Sequence, residues 1–106
     1  MTVESYARIS VAVPGGSVEA GLQRESPEPL RLKRAEMARI IAEEALALNG
    51  SPLSEENGNW LTAGIERRFR AAWPSKAWFV ELWMADADGD EQPLTQVYAP
   101  WGMPRR

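Results

Sequence analysis

The sequence contains neither cysteine nor histidine, and these two absences exclude much of enzyme chemistry. Without cysteine the chain has no disulfide, thiolate nucleophile, iron–sulfur cluster or zinc knuckle. Without histidine it lacks the most common general base and the most common transition-metal ligand, so Ser-His-Asp triads and histidine metal sites are excluded. Carboxylate, lysine, tyrosine and arginine chemistry remain. We therefore expect no cofactor, no metal and no enzymatic activity.

Long apolar runs are also absent. The longest uninterrupted run has only a few residues, whereas a membrane-spanning helix needs about 20. The first residues show no basic segment followed by an apolar stretch, so no secretory signal is predicted. The 106 residues, 44% of them hydrophobic, suffice for one small core. We expect a single soluble, cytoplasmic domain over residues 1–106, with an irregular tail over 100–106 and no membrane contact.

Alternation of apolar and polar residues predicts a hairpin at the start of the chain. Residues 3–13 alternate with the period of a strand that buries one face. Gly15-Gly16 can supply the positive φ angles of a two-residue turn, which predicts a second strand over residues 17–23. This loop would pair apolar residues on one face as follows: Val13 with Val18, Val11 with Ala20, and Ile9 with Leu22.

A helix is predicted after this hairpin. It begins near Glu28 or Pro29, since proline is tolerated in the first turn, and it ends at about Leu48, before Asn49-Gly50. Apolar residues at helical spacing form one side of it. They are Leu30, Met37, Ile41, Ala45 and Leu48.

A second helix is predicted over residues 60–73, and Pro74 ends it. The polar segment 51–59 is predicted to be a linker that can hold one helical turn over residues 54–57. The apolar side of this helix consists of Leu61, Ile65, Phe69 and Ala72.

The last predicted elements are strands over residues 77–85 and 92–99, joined by a turn at Asp88-Gly89. This loop pairs Val80 with Val97, Leu82 with Thr95, Trp78 with Ala99, Phe79 with Tyr98, Glu81 with Gln96 and Trp83 with Leu94. A bulge near Pro93 would shift that register by one residue. The element order β-β-α-α-β-β predicts an α+β fold, in which one four-stranded antiparallel sheet carries both helices on one face.

Two helices can cover only one face of such a sheet. The covered face would be lined by Ile9, Val11, Val13, Val18, Leu22, Trp78, Val80, Leu82 and Met84. By parity, the opposite face would display Tyr6, Arg8, Phe79, Glu81, Trp83, Leu94 and Tyr98. A solvated sheet face is usually polar, whereas aromatic residues mixed with isolated charges are typical of surfaces that bind partners. These seven residues are therefore the predicted partner-binding residues.

The five tryptophans also admit a purely structural interpretation. In that interpretation Trp60, Trp73 and Trp78 belong to the core, Trp83 is a partly exposed strand residue, and Trp101 folds back over the sheet.

The charges of the first helix are placed against its macrodipole. Arg31, Lys33 and Arg34 lie in the first turns, at the positive end, whereas Glu43 and Glu44 lie toward the negative end. The basic helix start is therefore a weak candidate for binding an anion. Misplaced exposed charges cost only a few tenths of a kcal/mol, so a structural role without a ligand is the competing interpretation.

These patterns leave three classes of function. The first is a non-enzymatic interaction module, accessory or inhibitory, that associates with itself as a homodimer or with a larger protein through the aromatic face. The second is single-stranded nucleic-acid binding on the same face, which the net charge of −3 disfavours. The third is an oligomeric enzyme, because the element order resembles that of the tunnelling fold, with Glu81 as substrate anchor.

Overall fold

A computed structural model of the chain describes residues 6–23, 30–74 and 77–98. Its elements are β1 (Tyr6–Val13), β2 (Gly16–Gln23), α1 (Leu30–Ala45), a single 3-10 turn (Leu46–Leu48), α2 (Glu55–Ala72), β3 (Trp78–Ala85) and β4 (Glu91–Tyr98). The strands form one antiparallel sheet in the order β1-β2-β3-β4. The predicted α+β class and element order are confirmed. The predicted start of the first helix and the predicted tail lie outside the described residues.

The hydrophobic core lies between one face of the sheet and the two helices. The sheet contributes the alternate residues Ala7, Val18, Ala20, Leu22, Trp78, Val80 and Leu82, all of them buried. The helices contribute Met37, Ile40, Ile41, Leu61, Ile65 and Phe69. Both helices therefore pack on one face, as predicted. None of the helices in the described ranges is long and apolar enough to cross a membrane.

The first hairpin turns one residue earlier than predicted. Its loop is Pro14-Gly15, so Val13 pairs with Gly16 and Val11 pairs with Val18. Pro14 favours the φ needed at the first central position of a type II turn, and Gly15 adopts the positive φ of +80° needed at the second. The predicted register was wrong by two residues. Because side chains alternate with a period of two, the same residues still face the core.

The second hairpin has the predicted register up to a bulge. Val80 pairs with Val97 and Leu82 with Thr95, but Trp83 pairs with Pro93. Leu94 is therefore the extra residue of the bulge, and it packs against the core. The predicted pairing of Trp83 with Leu94 was wrong, because the bulge anticipated near Pro93 shifts the register by one residue from this point.

Helix α2 begins five residues earlier than predicted. Ser54 is its N-cap: its Oγ accepts from the backbone N–H of Asn57 at 3.2 Å, while the Asn57 side chain accepts from the backbone N–H of Ser54 at 2.7 Å. This reciprocal capping satisfies two backbone donors at the helix start. The polar segment before residue 60 is therefore mostly the first turns of α2 rather than a linker.

A charged bridge joins the two helices. Arg68 of α2 donates to Glu43 at 2.7 Å and to Glu44 at 3.2 Å. The Glu44 carboxylate lies next to Gly64, where an added Cβ atom would overlap it and displace it. The hydrogen bond from Arg68 lowers the pKa of Glu43, with help from Arg39. The two acidic residues that oppose the macrodipole of α1 thus share one arginine of α2 as their partner.

Candidate functional site

The sheet face opposite the core is covered by no helix of the described residues, and we call it the helix-free face. The strand register arranges its residues in three rows across β1, β2 and β3. The rows are Arg8–Gly21–Phe79, Ser10–Glu19–Glu81 and Ala12–Ser17–Trp83. An arginine, two carboxylates and two aromatic rings therefore lie on one surface.

Gly21 allows the first row to form. A Cβ atom at Gly21 would overlap the ring of Phe79, so the ring occupies the space that a larger residue would fill. The guanidinium carbon of Arg8 lies 4.8 Å from the centroid of the same ring, within the range of a cation–π interaction. Phe79 is only 2% exposed, whereas Arg8 is exposed. Phe79 therefore supports Arg8 from below and is not itself displayed.

The second row brings two carboxylates together. Glu19 and Glu81 are directly opposite each other on β2 and β3, and Glu81 is only 8% exposed. Burial raises the pKa of Glu19 above its ordinary value of 4.5, and the hydrogen bond and negative charge of Glu81 raise it further. The charge of Arg8 and a hydrogen bond from the Trp83 indole act in the opposite direction. Trp83 and Arg8 therefore border the carboxylate pair on both sides.

Replacing Glu19 by glutamine should raise the melting temperature at about pH 7. A pKa raised by folding means that the folded protein favours the protonated carboxyl of Glu19. The stability that the protonated carboxyl contributes is lost as the pH rises through the folded pKa, which lies above 4.5. Glutamine resembles the protonated form at every pH, so the gain should shrink at about pH 4. Thermal melts of both proteins at the two pH values measure the effect.

Glu43→Gln is the matched control, because the pKa of Glu43 is lowered by folding. Its contribution to stability is present above 4.5 and is lost only as the pH falls through the lowered pKa. This variant should therefore have a lower melting temperature at about pH 7. A lower melting temperature for Glu19→Gln at that pH would contradict the unfavourable placement of the Glu19 charge.

The structure places four of the predicted partner-binding residues together on the helix-free face. Arg8 is exposed and Trp83 is half-buried, so both are accessible there. Phe79 and Glu81 lie on the same face but are buried. The prediction that the face displays Phe79 and Glu81 was therefore wrong; for Phe79, the glycine at position 21 leaves room for the ring.

The other three predicted residues do not add a described side chain to this face. Leu94 points toward the helices, where its Cδ2 atom would lie 2.8 Å from a Cβ placed on Gly58. Its predicted position on the helix-free face was wrong, because the bulge reverses its direction. Tyr6 and Tyr98 occupy strand positions on this face, opposite Gln23 and Phe79, but their side chains lie outside the described part of the chain.

Two residues of the site were not predicted, Glu19 and Gly21. The alternation in the predicted strand 17–23 already placed both on the side away from the core. What the sequence did not reveal was that β2 neighbours β3, which sets Glu19 against Glu81 and Gly21 against Phe79. The order of strands in the sheet was the missing information.

The predicted anion site at the start of α1 stays a prediction, and the structure gives the surroundings of its three cations. Lys33 lies with its Nζ atom 5.9 Å from the centroid of the Trp73 ring, whereas Arg31 and Arg34 are exposed. No group of three or more acidic side chains in the described residues could hold a metal ion.

The helix-free face thus combines a cation held over a ring, a pair of carboxylates and a half-buried indole. Such a surface offers a charged donor, hydrogen-bond acceptors and an aromatic contact area within three neighbouring rows. No protein-family model, curated protein or solved structure matches the chain.

Proposed function

We propose that the chain is a small non-enzymatic interaction module, an accessory or inhibitory protein, that binds a protein partner through the helix-free face. The observation that carries this proposal is the half-buried indole of Trp83 next to the row of the Glu19–Glu81 pair, with Arg8 in the row beyond that pair, on a face without a described helix over it. A solvated sheet face is ordinarily polar. Tryptophan and arginine are the residues most enriched at the energetic centres of interfaces.

Arg8 is suited to this role because its position is supported. Its guanidinium lies over the buried ring of Phe79. That ring occupies the space next to Gly21 that a larger side chain would fill. A side chain that is already ordered loses less conformational entropy when a partner binds. Phe79 and Gly21 would then contribute to binding by positioning Arg8, not by direct contact.

The charges around Trp83 favour a partner that carries basic side chains. Glu19 and Glu81 lie in the neighbouring row, and Ser17 in the same row donates to Glu91 at 3.3 Å. The loop that joins β3 to β4 adds Asp86, Asp88 and Asp90. A partner segment with lysine or arginine beside an apolar residue could place its charge near Glu19 and the loop aspartates and its apolar group on Trp83.

The same charges disfavour single-stranded nucleic acid on this face. Phosphates would be repelled by Glu19 and Glu81, and α1, which carries Arg31 and Arg34, packs on the opposite face of the sheet. Binding of bases to the aromatic residues and of phosphates to these arginines would therefore require one strand to pass around the molecule. A protein partner requires no such path.

Replacing Trp83 by arginine is expected to weaken partner binding about 30-fold while leaving the fold intact. The variant removes the aromatic contact area of Trp83 and adds a positive charge at the place where the partner is proposed to carry a positive charge. Peptides selected from a random display library against the wild-type protein provide the probe. Their dissociation constants for the wild type and for the variant are then measured by isothermal titration, with circular dichroism as the check on folding.

Trp60→Arg is the matched control, because Trp60 is 56% exposed on α2, on the other side of the sheet. We expect the selected peptides to be rich in lysine or arginine next to an apolar residue, and to bind this control as tightly as the wild type. Peptides that bind Trp83→Arg as well as the wild type would refute the proposal. A fluorescent oligothymidine that binds with a steep dependence on salt, and is released by Trp83→Arg, would favour nucleic acid instead.

A further inference from the structure

Strand β1 forms one edge of the sheet that the described strands build. It is eight residues long, lies at the end of the strand order, and contains one charged residue, Arg8, and no proline. In the described part of the chain nothing pairs with its outer side. The opposite edge, β4, carries Pro93 and a bulge, which are devices that prevent pairing between sheets. One edge is thus blocked, whereas no described strand lies beside the other.

An apolar groove runs beside the β1 edge. It has a volume of about 430 Å³ and lies between β1 and the carboxyl-terminal part of α1, with Val11, Val13, Ala42, Ala45 and Leu46 in its lining. Leu46 is 75% exposed, and Leu32, near the other end of α1, is 62% exposed. The edge strand and the helix beside it therefore both present apolar surface on the same side of the molecule.

We propose that this side binds a second copy of the chain, with β1 of one copy pairing antiparallel to β1 of the other across a two-fold axis. Residues beside a two-residue loop form a hydrogen-bonded pair, so Val13, Val11 and Ile9 direct their backbone groups toward β2. The backbone groups of the alternate residues, Ser10 among them, therefore point outward. A two-fold axis at Ser10 sets Arg8 of one copy opposite Ala12 of the second copy and keeps the two arginines apart.

The position of the groove determines how α1 meets its symmetry mate. Because the groove is lined by Val13 and Leu46, the carboxyl end of α1 lies beside the carboxyl end of β1. The two-fold axis then brings the amino end of α1 from the second copy to this place. Leu32 of the second copy approaches Leu46, and two exposed leucines that face solvent in the single chain cover each other.

Charge complementarity points to the same partner. The first turn of α1 contains no acidic residue and the last turn contains no basic one, which is unfavourable for an isolated helix. In an antiparallel pair of helices, Arg31 of each copy lies near the negative carboxyl end of the other helix. The charges that oppose the macrodipole within one chain thus complement it between two chains.

A second copy pairs with the β1 edge and is itself paired by it, whereas an unrelated strand added there would present a new unpaired edge. A two-fold contact uses the same patch on both copies and ends the assembly at two. This surface differs from the helix-free face, so dimer formation and partner binding can be tested separately.

Sedimentation equilibrium and light scattering over a range of concentrations test the proposal on the whole chain. The wild type should reach twice its 11.8 kDa mass. Ser10→Pro should raise the dimer dissociation constant at least about tenfold, because proline on an edge strand removes an outward N–H without breaking the sheet. Ser10→Thr, which keeps the N–H, should dimerise like the wild type.

Leu46→Glu provides a test that does not depend on the strand, since it places a charge at an exposed helix position. It should weaken the dimer to a similar degree, whereas Trp60→Glu, at an exposed position on α2, should not. A wild type that remains monomeric at its solubility limit would overturn the proposal. A dimer unaffected by both Ser10→Pro and Leu46→Glu, or dissociated only by Trp83→Arg, would overturn it as well, as would assemblies larger than two copies.

Discussion

Replacing Phe69 by alanine is expected to lower the free energy of unfolding by about 4 kcal/mol. Phe69 is fully buried, and its ring lies edge-to-face against Trp73, with centroids 5.2 Å apart, and against Trp78, with centroids 5.9 Å apart. The variant therefore loses apolar burial and two aromatic contacts. It also leaves a cavity between Trp73 and Trp78, whose rigid rings cannot fill it. For a domain of this size, such a loss is a large part of the total stability.

Urea denaturation followed by circular dichroism measures this effect. Trp60→Ala is the matched control, because Trp60 lies on the same helix and is 56% exposed. It removes more atoms but should cost less than about 1 kcal/mol, since little burial is lost. Equal losses for the two variants would mean that α2 does not bury the face that contains Phe69.

The fold could be predicted from local patterns because each pattern is compatible with only one type of secondary structure. Alternation in β1 identified this strand and the face that it buries. Asp88-Gly89 marked the second turn, and Gly89 does adopt the positive φ of +87° that favours glycine there. The spacing of Leu61, Ile65 and Phe69 identified the buried side of α2.

Errors in register had unequal consequences. The error at the first hairpin was two residues, an even number, so Val11 and its neighbours kept their predicted face. The bulge beside Pro93 is an error of one residue, and it moved Leu94 from the helix-free face to the core. A prediction of strand faces from alternation therefore stays correct when a misplaced turn shifts the register by two residues, but it fails when a bulge shifts the register by one.

The candidate site could be predicted only in part, because its details depend on contacts between distant strands. Parity placed Arg8, Glu81 and Trp83 on one face. The burial of Phe79 could not be foreseen, since it requires Gly21 on the neighbouring strand, and nothing local specifies that β2 and β3 are neighbours. Arg68 shows the same limit, since its carboxylate partners lie on another helix.

The two proposed surfaces are compatible, and together they would have a consequence for affinity. Pairing of β1 with β1 extends the sheet, so the helix-free faces of two copies become one continuous surface. That surface carries two copies of Trp83 and of the Glu19–Glu81 pair. A partner with two binding segments could engage both, with an avidity that exceeds either contact alone.

Replacing Gly21 by valine should lower the free energy of unfolding by about 3 kcal/mol. The side chain added at this position overlaps the ring of Phe79, which is only 2% exposed and lies beneath the guanidinium of Arg8. Phe79→Ala alone should cost about the same amount, because it leaves a cavity. Urea denaturation of the single variants and of the double variant forms a double-mutant cycle.

The cycle isolates the contact on which the geometry of the helix-free face depends. The valine side chain introduced by Gly21→Val would fill part of the space that the ring vacates, so the double variant should be more stable than the sum of the single losses predicts, by about 2 kcal/mol. Ser17→Val, on the same strand and the same face, should cost less than about 1 kcal/mol and should not couple to Phe79→Ala. Additive losses in the Gly21 cycle would mean that the ring does not lie over Gly21, and the proposed support for Arg8 would then be absent.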